Sequence, residues 1–164
     1  MSVNFRGKIF GSISAAVILL SGIGEVAART EPGSVTVYSD RGGRLFSYAL
    51  RLKKLQHSGT RMSIRGGCYS ACTLFLALPR HQVCVAPRAT FGFHLPFGSS
   101  AAGNRVAASY MLRSYPGWVR TWIRNNGGLS RQVISMRYSY ASKFLPTCAS
   151  RYAQKSSRVA SSAR

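Results

Sequence analysis

Acidic side chains are almost missing from this chain. Glu25, Glu31 and Asp40 are all it has, against 23 lysines and arginines, for a formal net charge of +20. That balance excludes an acidic protein. With 46% hydrophobic and only 16% charged residues, a low-hydrophobicity disordered chain is excluded as well. No repeat period is present, so a solenoid is not expected. Sixteen glycines and six prolines, scattered along 164 residues, do not make a collagen-like sequence. The length fits one domain.

What is present begins with a targeting pattern. Arg6 and Lys8 form a basic start, and the stretch from Ile9 to Ile23 is uncharged and mostly apolar. Val26, Ala27 and Ala28 then supply small residues for cleavage. This order reads as a secretory signal peptide over residues 1–28. Its apolar run falls short of the roughly 20 residues that span a bilayer, and no later segment is apolar enough to span. The reading implies a periplasmic or secreted protein. Cys68, Cys72, Cys84 and Cys148 are then an even set in an oxidising compartment, and two disulfides are expected. Three pairings are open. The cysteine spacing is poor for zinc, and no metal or cofactor is called for.

Residues 29–153 read as one α/β domain, with residues 29–34 as a flexible lead and 154–164 as a disordered basic tail. Val35, Val37 and Tyr38 suggest a strand, and Asp40 to Gly43 a turn. Leu45, Tyr48, Ala49, Leu52 and Leu55 repeat at helical spacing, with Gly59 closing that helix. A second strand around Met62 and Ile64 is expected to break at Gly66-Gly67. A buried helix should run from Ser70 to Leu78. Strands follow at Gln82 to Val85 and Ala89 to His94. A Gly/Ser-rich loop, Gly98 to Gly103, leads to three helices: Val106 to Tyr115, Trp118 to Asn125 and Leu129 to Tyr140. Strand–helix alternation followed by helices implies a layered α/β fold with a helical C-terminal part.

Three chemical features stand in a telling order, each at the carboxyl end of an expected strand, where open α/β sheets build sites. They are the Gly42-Gly43 turn, Ser70 at the start of a helix, and His94. A serine hydroxyl is a weak nucleophile that needs a base, and His94 could accept its proton. Glycine lets the backbone approach closely, so the N–H groups of Gly42 and Gly43 could face a developing oxyanion, with the Ala71 N–H as a further donor. Each feature also has a plainer reading. Ser70 before an apolar helix is what a simple N-cap looks like, Gly-Gly pairs close turns, and a lone histidine is often structural. Cys68 and Cys72 flank Ser70 and read as structural.

Taken together, Asp40-Arg41-Gly42-Gly43, Cys68-Tyr69-Ser70-Ala71-Cys72 and Gly92-Phe93-His94 resemble the Clp-type serine peptidase (Clp/crotonase) superfamily. They are closest to exported bacterial relatives with a Cys-x-Ser-Ala-Cys nucleophile turn. The resemblance covers Val35 to His94 well and the part up to Cys148 loosely. It implies a Clp/crotonase-like fold of repeated ββα units, and a peptidase acting on peptide or protein substrates. Ser70 would be the nucleophile, His94 the general base, and Gly42 or Gly43 with Ala71 the oxyanion donors. The G-x-S-x-G elbow of α/β-hydrolases is absent, because Cys stands at both flanking positions.

One departure matters. The family triad ends in an Asp after the His, and this chain has no carboxylate beyond Asp40. That residue normally holds the imidazole tautomer and stabilises the imidazolium. Asn125, Asn126, Tyr138 or a backbone carbonyl are the neutral substitutes, and Asp40 itself is a remote one. A Ser-Lys dyad using Lys53, Lys54 or Lys143 is a weaker variant. The expected activity is therefore a weak exported hydrolase. The competing expectation is a catalytically inactive Clp-like domain that binds an anionic envelope polymer, a membrane surface or a peptide. The predominance of arginine suits phosphate and carboxylate recognition. No nucleic-acid motif is present, so nucleic acid is disfavoured. With so few carboxylates, any homo-oligomer would rest on apolar contacts.

Overall fold

The structure, a computed structural model, describes residues 33–149. The signal-peptide reading (1–28) and the basic tail (154–164) lie outside the described residues. Within them the chain is mixed α/β. In order it forms β1 (Ser34–Asp40), α1 (Leu45–Ser58), β2 (Arg61–Tyr69), a 3₁₀ helix (Ser70–Ala77), β3 (Val83–Val85) and β4 (Thr90–Phe93). Then come α2 (Ala101–Ser114), α3 (Gly117–Asn125), β5 (Ile134–Arg137) and the short α4 (Tyr138–Ala141).

Five strands make one sheet, in the order β1-β2-β4-β5, with β3 also paired to β2. Strand β2 is parallel to β1, β3 and β4: β3 pairs with its first half (Met62 to Ile64) and β4 with its last residues (Gly67 to Tyr69). Only β5 is antiparallel, along β4. Strand β2 alternates, with Met62, Ile64 and Cys68 buried on one face and the residues between them half-buried on the other. Helix α1 turns Tyr48 and Leu52 into the core and ends at Gly59, whose φ of 65° is the left-handed cap that glycine adopts without strain. The 3₁₀ helix is apolar because it is enclosed: Ala71 to Leu76 are all buried. Phe75, Phe91, Phe93, Tyr115 and Met136 complete the core around it.

Four sequence expectations are corrected. Strand β2 does not break at Gly66-Gly67 but runs to Tyr69. Its register with β1 shifts there, and a Cβ at Gly66 would overlap the Tyr38 carbonyl, so the glycines admit a bulge and a close backbone approach. Residues 33 and 34 are not a loose lead, because Ser34 opens β1 and Gly33 accepts from the Arg61 N–H at 2.8 Å. Helix α2 starts at Ala101, inside the expected loop, because Ser100 caps it by accepting from the Gly103 N–H at 3.1 Å. Lastly, Leu129 to Tyr140 is not one helix. Ile134 to Arg137 alternate half-buried, exposed, buried, exposed, and pair with β4 as an edge strand. The C-terminal part is thus only partly helical.

The cysteine pairing is settled as Cys68–Cys72 and Cys84–Cys148. The second bridge ties the end of the described chain to β3, next to the hydrogen bonds from Val85 N–H to Pro146 O (3.0 Å) and from Cys148 N–H to Val85 O (3.0 Å). Two disulfides fit an oxidising, non-cytoplasmic compartment. Among the described residues no helix is long and apolar enough to cross a membrane.

Candidate active site

Strand register brings the three chemical features together. Asp40 pairs with Cys68, and Tyr69 pairs with Gly92. Gly42, Ser70 and His94 therefore each lie one or two residues past the carboxyl end of β1, β2 and β4. These are three adjacent parallel strands, and such an edge is where their side chains and loops converge.

A cavity of about 490 Å³ opens at this edge, lined by Gly42, Gly43, Ser70, Ala71 and His94 together. Arg41 and Arg44 stand on its rim, and Pro96, Phe97, Ala107 and Met111 form its apolar wall. A second cavity of about 600 Å³ meets it at Arg41 and His94 and is floored by Gly67, Tyr69 and Thr90. The Tyr69 ring lies where Cβ atoms at Gly67 and Gly92 would be, so those glycines make room for it on the sheet.

Ser70 has φ of 56°, the only non-glycine residue with positive φ among those described. This conformation is uncommon for a residue with a Cβ and stores backbone strain at the turn from β2 into the 3₁₀ helix. Two features hold it. The Cys68–Cys72 bridge spans the turn with both cysteines fully buried. The Thr73 hydroxyl donates to the Ser70 carbonyl at 2.6 Å, while sharing a hydrogen bond with the Tyr115 hydroxyl at 2.6 Å. Burial pushes the Tyr115 phenol well above its ordinary pKa, so that hydroxyl stays protonated. The N-cap position belongs to Tyr69, and Ser70 makes no capping bond.

The structure separates the two glycines of the turn. The Gly42 N–H donates to Asp40 Oδ1 at 2.8 Å and is therefore spent. Gly42 contributes closeness instead. Its φ is 80°, and a Cβ there would stand 2.6 Å from the Tyr69 carbonyl oxygen and 2.9 Å from the Ala71 nitrogen. The Gly43 N–H bonds to no other described residue. The Ala71 N–H lies in the first turn of the 3₁₀ helix, where no intrahelical acceptor precedes it. Gly43 and Ala71 thus both keep a free donor at the cavity.

Asp40 does not serve His94. Its Oδ1 also accepts from the Tyr48 hydroxyl at 2.6 Å, which fastens the turn to α1. Burial, reinforced by that carboxylate, raises the Tyr48 pKa to about 12. Nor do the other suggested partners reach His94. Asn126 donates to Trp122 O, Tyr138 pairs with Thr147, and Asn125 is exposed away from both cavities. A backbone carbonyl does: His94 Nδ1 lies 2.7 Å from Leu95 O. A carbonyl only accepts, so in the neutral imidazole Nδ1 carries the proton and Nε2 holds the lone pair. No hydrogen bond joins Ser70 to His94 in this structure. Phe97, 82% exposed, packs against the His94 ring with centroids 5.5 Å apart. No lysine lines either cavity, and Lys143 lies over the Tyr140 ring instead.

The Asp40–Tyr48 bond and the Leu95 carbonyl carry no signal in the sequence, since aspartates and tyrosines occur everywhere and every residue has a carbonyl. No cluster of metal-ligating side chains occurs among the described residues. No protein-family model matches the chain, and no curated protein matches it either.

Proposed function

We propose that the protein is a serine hydrolase of Clp/crotonase-like fold, acting on peptide bonds in the periplasm or outside the cell. One observation carries this reading: a strained serine, an imidazole with a free Nε2 and two unpaired backbone N–H groups line one cavity. Ser70 Oγ attacks the scissile carbonyl carbon while His94 Nε2 takes its proton. The carbonyl oxygen becomes an oxyanion held by Gly43 and Ala71 N–H groups, an arrangement worth roughly 10²–10³ in rate per donor. Collapse of the intermediate expels the amine, which leaves with the proton from His94. Water, deprotonated by His94, then attacks the acyl-serine, releasing the acid and restoring the Ser70 hydroxyl.

The missing carboxylate removes only part of the usual help. Asn in place of a triad Asp costs about 10⁴ when it imposes the wrong tautomer. The Leu95 carbonyl imposes the right one, so orientation survives and the charge compensation does not. A slow enzyme is the consequence. The second reading, an inactive domain that binds an anionic or peptide partner, is favoured by the unbonded Ser70–His94 pair.

A fluorophosphonate probe separates the two. The enzyme reading expects stoichiometric labelling of the wild type, abolished by Ser70→Ala and strongly slowed by His94→Ala. A folded wild type that stays unlabelled between about pH 6 and 9 refutes it and leaves the binding domain.

A further inference from the structure

The cavity has charge of one sign only. Arg41 and Arg44 bracket the Gly42-Gly43 pair and both are exposed on its rim. Neither guanidinium has an ion pair or hydrogen bond with another described residue, whereas Arg65, Arg113, Arg120 and Arg124 are all engaged. The only carboxylate among the described residues, Asp40, is occupied by Gly42 and Tyr48. The apolar part of the lining, Pro96, Phe97, Ala107 and Met111, has no charge at all. Arg41 also lines the second cavity.

From this we propose that the site selects peptides with an Asp or Glu immediately beside the scissile bond, its carboxylate held by Arg41 and Arg44. The proposal rests on the serine hydrolase reading for its register. The scissile carbonyl oxygen sits on the Gly43 N–H, and Arg41 and Arg44 are two and one residues from that donor. Successive Cα atoms are only ~3.8 Å apart, so the anion they reach belongs to the residue that carries the scissile carbonyl or to its neighbour. Arginine suits a planar carboxylate because it can bind both oxygens. A general attraction of polyanions to a +20 protein is a different effect. It would depend on every arginine alike, and this one depends on two.

The test uses fluorogenic peptides that differ only in Glu, Gln or Lys beside the scissile bond. The wild type should favour Glu over Gln by roughly tenfold in kcat/KM at low ionic strength, in keeping with two solvent-exposed charge pairs, with Lys poorest and the preference shrinking as salt rises. Arg41→Gln/Arg44→Gln should bring the Glu/Gln ratio close to one. Arg124→Gln, on α3 and outside both cavities, should leave the ratio intact. Equal use of Glu and Gln by the wild type, or a ratio that survives in the double variant, overturns the proposal. So does a ratio that falls as far in Arg124→Gln. If no peptide is cleaved and no fluorophosphonate labelling occurs, the hydrolase reading has failed instead. Binding of the same peptides by fluorescence anisotropy then decides the subsite. Tighter binding of Glu than Gln, lost in the double variant, upholds it, and equal binding overturns it.

Discussion

Replacing Gly42 with alanine should disable the site while replacing Gly43 should not, although the two are neighbours in one exposed turn. At Gly42 the backbone has φ of 80°, and forcing a residue with a Cβ into that region costs about 1–2 kcal/mol. The new methyl carbon would stand 2.6 Å from Tyr69 O, 2.7 Å from Ser70 Cβ and 2.9 Å from Ala71 N. All three are backbone or backbone-fixed atoms of the nucleophile turn, and the Cys68–Cys72 bridge keeps that turn from retreating. The glycine turn must move away, carrying the Gly43 N–H with it. Loss of one oxyanion donor corresponds to about 2.7–4 kcal/mol in the barrier, or 10²–10³ in rate. At Gly43 the only contact of an added Cβ is Tyr48 Cε2 at 3.6 Å, ordinary packing, and the N–H is retained. The assay is the second-order rate of fluorophosphonate labelling alongside a thermal melt. Gly42→Ala should label at least a hundredfold more slowly and melt lower. Gly43→Ala should stay within a few-fold of the wild type. A folded Gly42→Ala protein that labels at the wild-type rate would refute the oxyanion geometry argued from this turn.

The two disulfides should separate stability from activity. On chain entropy alone, opening Cys84–Cys148, 64 residues apart, should cost roughly 4 kcal/mol, and opening Cys68–Cys72, four apart, roughly 2 kcal/mol. Denaturant titration of the paired Cys→Ala variants should show that order. Labelling should fall most in Cys68→Ala/Cys72→Ala, because that bridge spans the Ser70 turn. Tyr48 supplies a pH signature. With its pKa raised from 10.0 to about 12, folding favours the protonated phenol. That contribution is complete below pH 10 and is lost as pH rises from 10 to 12. Melting temperatures of the wild type should fall more steeply across that window than those of Tyr48→Phe; parallel slopes would show that folding does not raise the Tyr48 pKa.

Much of the site was legible because its parts obey local rules. Glycines close the turn after β1, a serine between two cysteines opens the buried helix, and a histidine follows β4. Hydrophobic spacing marked β1, α1, β3, β4 and α3 for the same reason: an element that buries one face repeats apolar residues at its own period. The failures are also physical. Gly66-Gly67 looks like a break in one dimension, and only the closeness of Tyr38 shows why a strand needs glycine there. Ile134 to Arg137 became a strand because β4 had an open edge to pair with, a condition outside that segment.

Charge, the scarcity of carboxylates, the even cysteine count and the order of glycine turn, serine and histidine belong to the sequence alone, since none of them depends on how distant segments meet. Tertiary structure decided the rest: which cysteines pair, which glycine keeps a free N–H, that Asp40 turns to Tyr48 rather than His94, and that a carbonyl sets the imidazole tautomer. Each of these is a competition for one partner, and residue order does not say which group wins, even where the winner is as near as Leu95 to His94 or Asp40 to Gly42. Only the pairing of β1, β2 and β4 at a shared edge brings the glycine turn, the serine and the histidine to one cavity.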